Sequence, residues 1–252
     1  MANKSYADYE SPSTDDPSSI VWASNGGDGS GKSYFAATAP TPIFVCGFDA
    51  YGFNRVNKDL VRGRDIKLAR YPFKAQACKD AKETGKVAMG VWEQFLADYA
   101  LALKNARTII WDREDIAWEL LRYASFGGTS AAPKEYGELN AEYVSLIQDA
   151  QGAGVNLGLL RGIREKWISK FDQTKGKMTA HNTGEMIPDG MKKIPDHVDV
   201  TLHHRWDDGE KSFMVKIDKF VNPEFKGVEI ANLTFPQMAT AAYPNTDESS
   251  WQ

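Results

Sequence analysis

GGDGSGKS, residues 26–33, lies between a short apolar run and a helix-forming one, and its reading decides how the rest of the chain is understood. Gly26, Gly31, Lys32 and Ser33 meet the spacing G-x-x-x-x-G-K-[ST], with Gly27 and Gly29 between them. Residue frequencies alone produce that spacing in roughly one chain of this length in a hundred, so the flanks must decide. Such a loop works when successive backbone N–H groups converge on an anion, a helix start adds its positive end, and a lysine neutralises the outer charge. It needs a strand before it and a helix after it. SIVWAS (residues 19–24) is an apolar run of buried-strand type, and KSYFAAT (residues 32–38) can form a helix that Pro40 must end. A glycine-rich surface turn would leave the Lys-Ser pair and both flanks unexplained. The stretch therefore reads as a phosphate cradle.

Beyond the loop, apolar strands alternate with amphipathic helices. PIFVCGFDAYG (residues 42–52) is a second strand, with Asp49 near its end. Residues 55–74 hold seven Lys/Arg against two Asp, and DIKLAR (residues 65–70) alternates within them as an exposed edge strand; a phosphate-backbone contact is the other reading. Val91, Trp92, Phe95, Leu96, Tyr99 and Leu103 recur at intervals of three and four, which predicts a sheet-covering helix over 87–104. RTIIWDRED (residues 107–115) is a β-branched run ending in Asp112. A helix over 114–124, a glycine-rich connection over 125–137 and a helix over 138–150 follow, and GVNLGLL (residues 154–160) is a fourth buried strand. Alternation of this kind predicts a parallel sheet with both faces covered. Its ligands bind at the carboxyl ends of the strands, where the loop, Asp49, Asp112 and Arg161 gather. Ser33 and Asp112 then form a pair able to hold Mg²⁺ beside a nucleotide phosphate. The structural alternative makes Asp112 the cap of the helix that follows.

The remainder changes character. Residues 171–193 are polar, carry glycines and prolines, and are too long for a plain connection, which predicts a functional loop. VDVTLHHRW (residues 198–206) and KSFMVKIDKF (residues 211–220) read as strands joined by a DDGE turn. His203 and His204 are adjacent in a strand and face opposite ways, so they share no metal; one belongs to the core and one to the surface. Trp22, Trp92, Trp111, Trp118, Trp167 and Trp206 belong to the core or to subunit contacts. Residues 1–19 and 245–252 read as disordered polar tails around a single domain over 20–244.

Composition narrows the field. A net charge of −4 gives no global basic signature, so any nucleic-acid contact must come from local patches. Cys46 and Cys78 form no C-x-x-C pair, which suits a reducing compartment and argues against zinc. No run approaches the length of a membrane span and the N-terminus lacks a signal-peptide pattern, so the expectation is a cytoplasmic protein with no membrane partner.

This order of parts resembles the RecA/RadA-like (AAA/RecA-type) P-loop ATPase core. More narrowly it is similar to the small phage-encoded ATPases that act with single-strand annealing proteins in recombination. The phrases SYFAATAPTPIFVCGFDAYG (residues 33–52) and YGELN (residues 136–140) carry the likeness, which covers about residues 20–235; only the phosphate loop is specific by itself. The resemblance implies an α/β fold with a mostly parallel sheet and a C-terminal β hairpin. It implies ATP contacts from Gly26, Gly27, Asp28, Gly29, Ser30, Gly31, Lys32, Ser33 and Tyr34, with Mg²⁺ on Ser33 and Asp112. The family places a water-activating Glu near the end of the second strand; Tyr51 stands there instead, so Asp49 or Glu114 takes that role, or hydrolysis is slow. Lys216 and Lys219 match basic residues that a neighbouring subunit lends to the γ phosphate, and the alternative is that both face solvent on an edge strand. The family's DNA loops correspond to residues 125–137 and 171–193, the second bringing Lys175, Lys177, Lys192 and Lys193. The implied partners are single-stranded DNA, further copies in a head-to-tail oligomer, and a single-strand annealing or single-strand-binding protein.

Two other functions fit parts of the sequence. GGDGSGKS and WDRED are also similar to thymidylate kinases, in which Asp112 and Arg113 would bind a nucleoside monophosphate and Arg161 and Arg164 would close as a lid. The terminal β hairpin and the strand PIFVCGFDAYG do not suit a kinase. The third reading is a nucleotide-switched DNA-binding assembly subunit with little turnover.

Overall fold

The computed structural model describes residues 19–49, 52–56, 58–129, 135–172 and 177–251. In chain order the elements are β1 (Val21–Asn25), α1 (Lys32–Ala36), β2 (Ile43–Gly47), α2 (Lys58–Val61), β3 (Ile66–Arg70), α3 (Ala81–Asn105), β4 (Thr108–Asp112), α4 (Glu114–Phe126), α5 (Glu135–Gly152), β5 (Asn156–Arg161), β6 (Ile163–Asp172), β7 (Lys177–Pro188), α6 (Ile194–His197), β8 (Val200–Asp207), β9 (Ser212–Lys219), β10 (Glu229–Ala231) and α7 (Phe235–Ala242). Eight strands form one sheet in the order β10-β9-β8-β1-β5-β4-β2-β3. It is parallel from β8 to β3, and β9 and β10 close it antiparallel. This is the α/β fold with a mostly parallel sheet, flanking helices and terminal antiparallel strands that the alternation of elements predicts.

The period-two rule explains the two-sided core. Val21, Ala23, Ile109, Trp111, Leu157 and Leu159 point to one apolar layer, where α3, α4 and α5 pack. Ile20, Trp22, Ile110 and Leu160 point to the other, with Phe35 of α1 and Phe235 of α7. Of the stripe expected on α3, Trp92, Phe95 and Tyr99 are buried and Val91, Leu96 and Leu103 pack half-buried against the same layer, while Trp111 of β4 sits edge-on to Phe95 at 5.3 Å. The helix is longer than its apolar stripe because Asp80 caps it, accepting from the Glu83 N–H at 2.8 Å. β3 is the half-exposed edge strand.

Two expectations change. Much of 171–193 is not loop: β6 and β7 pair as a long antiparallel ribbon apart from the main sheet, and most of its residues are exposed. With water on both faces it has no reason to alternate apolar and polar residues, so its period was hidden. Nor does the C-terminus trail away. Residues Glu248–Trp251 form a 3₁₀ turn, Trp251 is 4% exposed beside Phe235 and Tyr243, and Arg107 donates to the Ser250 carbonyl at 3.0 Å. The tail expected over residues 1–19 lies, but for Ser19, outside the described residues. Among the described residues no helix is long and apolar enough to cross a membrane.

Candidate functional site

Registry brings the site together. Ser24 pairs with Leu160, Leu160 with Asp112, and Asp112 with Gly47, so one row across β1, β5, β4 and β2 marks the carboxyl edge of the sheet. The glycine loop leaves β1 there, and its Gly26 N–H reaches the Arg161 carbonyl at 3.3 Å. Gly31 has φ 97°, and a β-carbon on it would lie 2.6 Å from the Phe213 ring, so only glycine fits. Lys32 opens α1 and folds under the loop, its Nζ donating to Gly26 O at 2.7 Å and Gly27 O at 2.8 Å. Burial lowers its pKa. Beneath the loop, Ser24 Oγ meets His204 Nε2 at 3.0 Å, and burial holds His204 neutral, with its pKa pushed down to about 3. His203 is half-buried, so the two histidines divide as their strand requires.

The opposite wall is acidic. Asp112 ends β4 and is 4% exposed. Its Oδ2 finds no hydrogen-bond partner among the described residues. Burial first, and neighbouring Asp49 second, push its pKa up to about 6 against the pull of the Phe53 N–H, Lys32 and Arg113. Asp49 accepts from the Gly52 N–H and so ties down the turn after β2. Asp28, Ser30, Lys32, Ser33, Tyr34, Asp49, Arg55, Asp112, Arg113 and Phe213 line one cleft of about 510 Å³ with the loop glycines.

Mg²⁺ fits these residues. Asp112, with a carboxylate oxygen that no donor reaches among the described residues, lines the same cleft as Ser33. Among the described residues no group of three or more His, Cys, Asp or Glu could hold a metal alone. A hard cation here would take its remaining ligands from phosphate oxygens and water, as Mg²⁺ does in nucleotide sites.

The other expected residues divide. Glu114 is drawn out of the cleft: it is fully buried and paired with Arg161 Nε at 3.0 Å. The left-handed Arg113 separates it from Asp112, and Glu114 turns into the core, where burial raises its pKa against the pull of Arg161. Arg161 is likewise buried, and Arg164 is bonded to Asp189 at 3.1 Å, so neither stands as an open lid. Lys219 donates to the carbonyls of Pro195 at 2.7 Å and Val198 at 2.5 Å, which turns it toward its own chain. Lys216 is exposed on β9, 4.0 Å from Asp218, outside this cleft. Tyr51 and Lys175 lie outside the described residues. Lys177 is exposed at the far end of the ribbon.

Arg55, Val56 and Phe213 line the cleft without having been singled out. Arg55 carried a signal as the first cation of the basic stretch after the second strand. Phe213 carried none, because only the pairing of β8 with β9 brings it to Gly31. A second cleft, of about 550 Å³, opens where α4 and α5 meet the segment after β7. Trp118, Arg122, Tyr136, Asn140, Arg164, Asp189 and residues 190–193 line it, so Lys192 and Lys193 join two arginines.

A parallel sheet with a glycine loop, lysine and serine on its first strand and a buried aspartate facing them defines a nucleotide-binding P-loop NTPase domain. Residues 19–221 match the family described as AAA domain, and the chain belongs to that family. No curated protein matches the chain.

Proposed function

We propose that this protein is a Mg²⁺-dependent ATPase of RecA-like type that handles single-stranded DNA during phage recombination, working as a head-to-tail oligomer. The observation that carries the ATPase reading is the orphaned Oδ2 of Asp112 in one cleft with Lys32 and Ser33. The loop N–H groups and Lys32 hold the β and γ phosphates, Ser33 and Asp112 hold the metal, and Tyr34 borders the loop. Bound Mg²⁺ supplies positive charge to the phosphate oxygens. Asp49 is the carboxylate left to receive the water proton once Glu114 is committed to Arg161. Water oxygen bonds to the γ phosphorus, the bond to the β–γ bridging oxygen breaks with its electron pair leaving on ADP, and the water proton goes to Asp49.

Support for DNA handling comes from the second cleft, where Arg122, Arg164, Lys192 and Lys193 offer phosphate contacts beside Trp118 and Tyr136. Lys177 is a further exposed cation, at the far end of the ribbon. Lys216, exposed at the sheet's far side, is the cation suited to a neighbouring subunit's phosphate; Lys219 is held by its own chain. A single-strand annealing or single-strand-binding protein is the accessory partner of this reading. Withdrawal of Glu114 favours a second reading, a nucleotide-switched DNA-binding subunit with little turnover. Phosphate release from ATP, with and without single-stranded DNA at low and moderate salt, separates them. DNA-stimulated release supports the ATPase. ATP binding without release supports the switch.

A further inference from the structure

The segment from Arg113 along α4 reaches both clefts, Arg113 lining the first and Trp118 and Arg122 the second, and the nucleotide reading leaves Arg113 unused. Arg113 follows Asp112 directly and lines the nucleotide cleft with Lys32 and Asp28. Its backbone is left-handed, φ 70° and ψ 64°, and it leads the helix without capping it. That conformation costs a residue with a β-carbon about 1–2 kcal/mol. Strain of this kind persists where the surroundings impose it, and it concentrates at ligand-contacting positions.

The guanidinium is already aimed. Nε lies 3.1 Å from both carboxylate oxygens of Asp115, and Nη2 lies 2.7 Å from Oδ2. Nη1 bonds to nothing among the described residues. The Asp115 side chain is 5% exposed and that of Arg113 is 31% exposed, so the carboxylate anchors and the cation projects. Asp115 Oδ1 also accepts the Gly162 N–H at 3.2 Å. Gly162 is the single residue between β5 and β6, the root of the ribbon. The ribbon's other leg is held one residue away on the same turn. Glu114 binds Arg161, which donates to Asp189 O at 2.6 Å and Met191 O at 2.9 Å. Farther along α4, Trp118 and Arg122 line the second cleft.

Resting on the nucleotide reading above, we propose that Arg113 is a further catalytic residue that contacts the terminal phosphate of the bound triphosphate, and that Asp115 is its positioning residue, passing the presence of that phosphate to Gly162 and the ribbon. With Nε and Nη2 on Asp115, the Nη1 end of the guanidinium remains to meet a phosphate oxygen as a charge-assisted donor. As charge grows on the γ phosphoryl oxygens during transfer to water, a cation fixed within the same chain stabilises it. Asp115 fixes that cation and the ribbon root with one carboxylate. A shift of Arg113 toward phosphate therefore changes the hold on Gly162.

The test uses the full chain, with a non-hydrolysable ATP analogue and ADP compared in wild type, Arg113→Gln, Arg113→Lys and Asp115→Asn. ATP binding is measured first, then phosphate release, then amide hydrogen exchange of peptides covering residue 162 and residues 177–188. In wild type the analogue and ADP should give different exchange at the ribbon root. Arg113→Gln and Asp115→Asn should still bind ATP, lose that difference, and release phosphate about a hundredfold more slowly. Arg113→Lys should recover part of the rate, having the charge without the fork. Variants that bind ATP and keep both the wild-type rate and the exchange difference overturn the proposal alone. Equal exchange with analogue and ADP in wild type overturns the role of Asp115. Wild type that binds no ATP overturns the nucleotide reading itself, and the binding step reveals this separately.

Discussion

Gly52 is pressed against Asp112: a β-carbon on Gly52 would stand 2.0 Å from Asp112 Oδ2, and 2.8 Å from Asp49 Oδ1. Gly52 thus closes over two of the cleft's carboxylates, Asp49 and Asp112, and its N–H is spent on Asp49. Gly52→Ala should displace the turn or Asp112. Turnover of MgATP is expected to fall by about a hundredfold, the penalty typical of a 1 Å misplacement at a reacting centre. The fold should survive because the residue lies between strands. Steady-state phosphate release beside a thermal melt checks both halves, and a wild-type rate would show that the Asp112 position is not critical.

Asp112 should impose a trade between activity and stability. Its acid form is favoured in the fold, with pKa raised from 3.8 to about 6, chiefly by burial. The sign follows: without metal, its contribution favours the fold at low pH and is lost as pH rises from about 4 through about 6. Asp112→Asn removes the buried charge and should stabilise the metal-free protein by roughly 3 kcal/mol at pH 8. The same substitution should abolish Mg²⁺-dependent turnover. Urea unfolding with a chelator present tests the first outcome; unchanged or lowered stability would contradict it.

A related pH effect concerns the metal. Below pH about 6 the Asp112 carboxylate takes a proton and competes with Mg²⁺. Mg²⁺-dependent nucleotide affinity should therefore weaken by about tenfold for each unit of further acidification. His204 stays neutral over that range, since burial holds it near 3. Titrations of nucleotide affinity between pH 5 and 8 should show the Asp112 step, and Asp112→Asn should flatten it.

Much of this site was legible because its signals are local. The glycine loop, the five-residue apolar strands and the acid ending TIIWD each occupy one short segment, so spacing alone places Lys32, Ser33 and Asp112. What stayed hidden depends on rotation or on partners far along the chain. Asp112, Arg113, Glu114 and Asp115 are consecutive, yet the first two line the cleft, Arg113 from a left-handed position, while Glu114 is buried on Arg161 and Asp115 holds Gly162. No pattern in WDRED distinguishes them. The ribbon was hidden for the opposite reason, because a two-sided wet hairpin carries no apolar period.

Trp251 shows the same limit at the C-terminus. It is buried beside Phe235, and its Nε1 donates to Thr246 Oγ1 at 2.8 Å. Trp251→Ala should cost about 3 kcal/mol by opening the apolar layer that holds Phe35 and Phe235. Equilibrium urea unfolding measures this. A loss near zero would mean that the terminal turn adds nothing to the fold.

Charge reversal in the second cleft addresses the DNA reading. Lys192→Glu with Lys193→Glu should weaken single-stranded DNA binding and make the salt dependence shallower by about two phosphate contacts, while ATP binding stays as in wild type. Fluorescence anisotropy with a labelled oligonucleotide across a salt series gives both slope and affinity. Wild-type affinity in the double variant would move the DNA contact elsewhere.

The proposed pairing of Asp112 and Lys32 in one Mg²⁺-ATP site is tested most directly by phosphate release from ATP by wild type, Lys32→Ala and Asp112→Asn, each with and without Mg²⁺. Wild type should release phosphate only when Mg²⁺ is present, and neither variant should release any. Release from Lys32→Ala or Asp112→Asn at the wild-type rate would contradict that pairing.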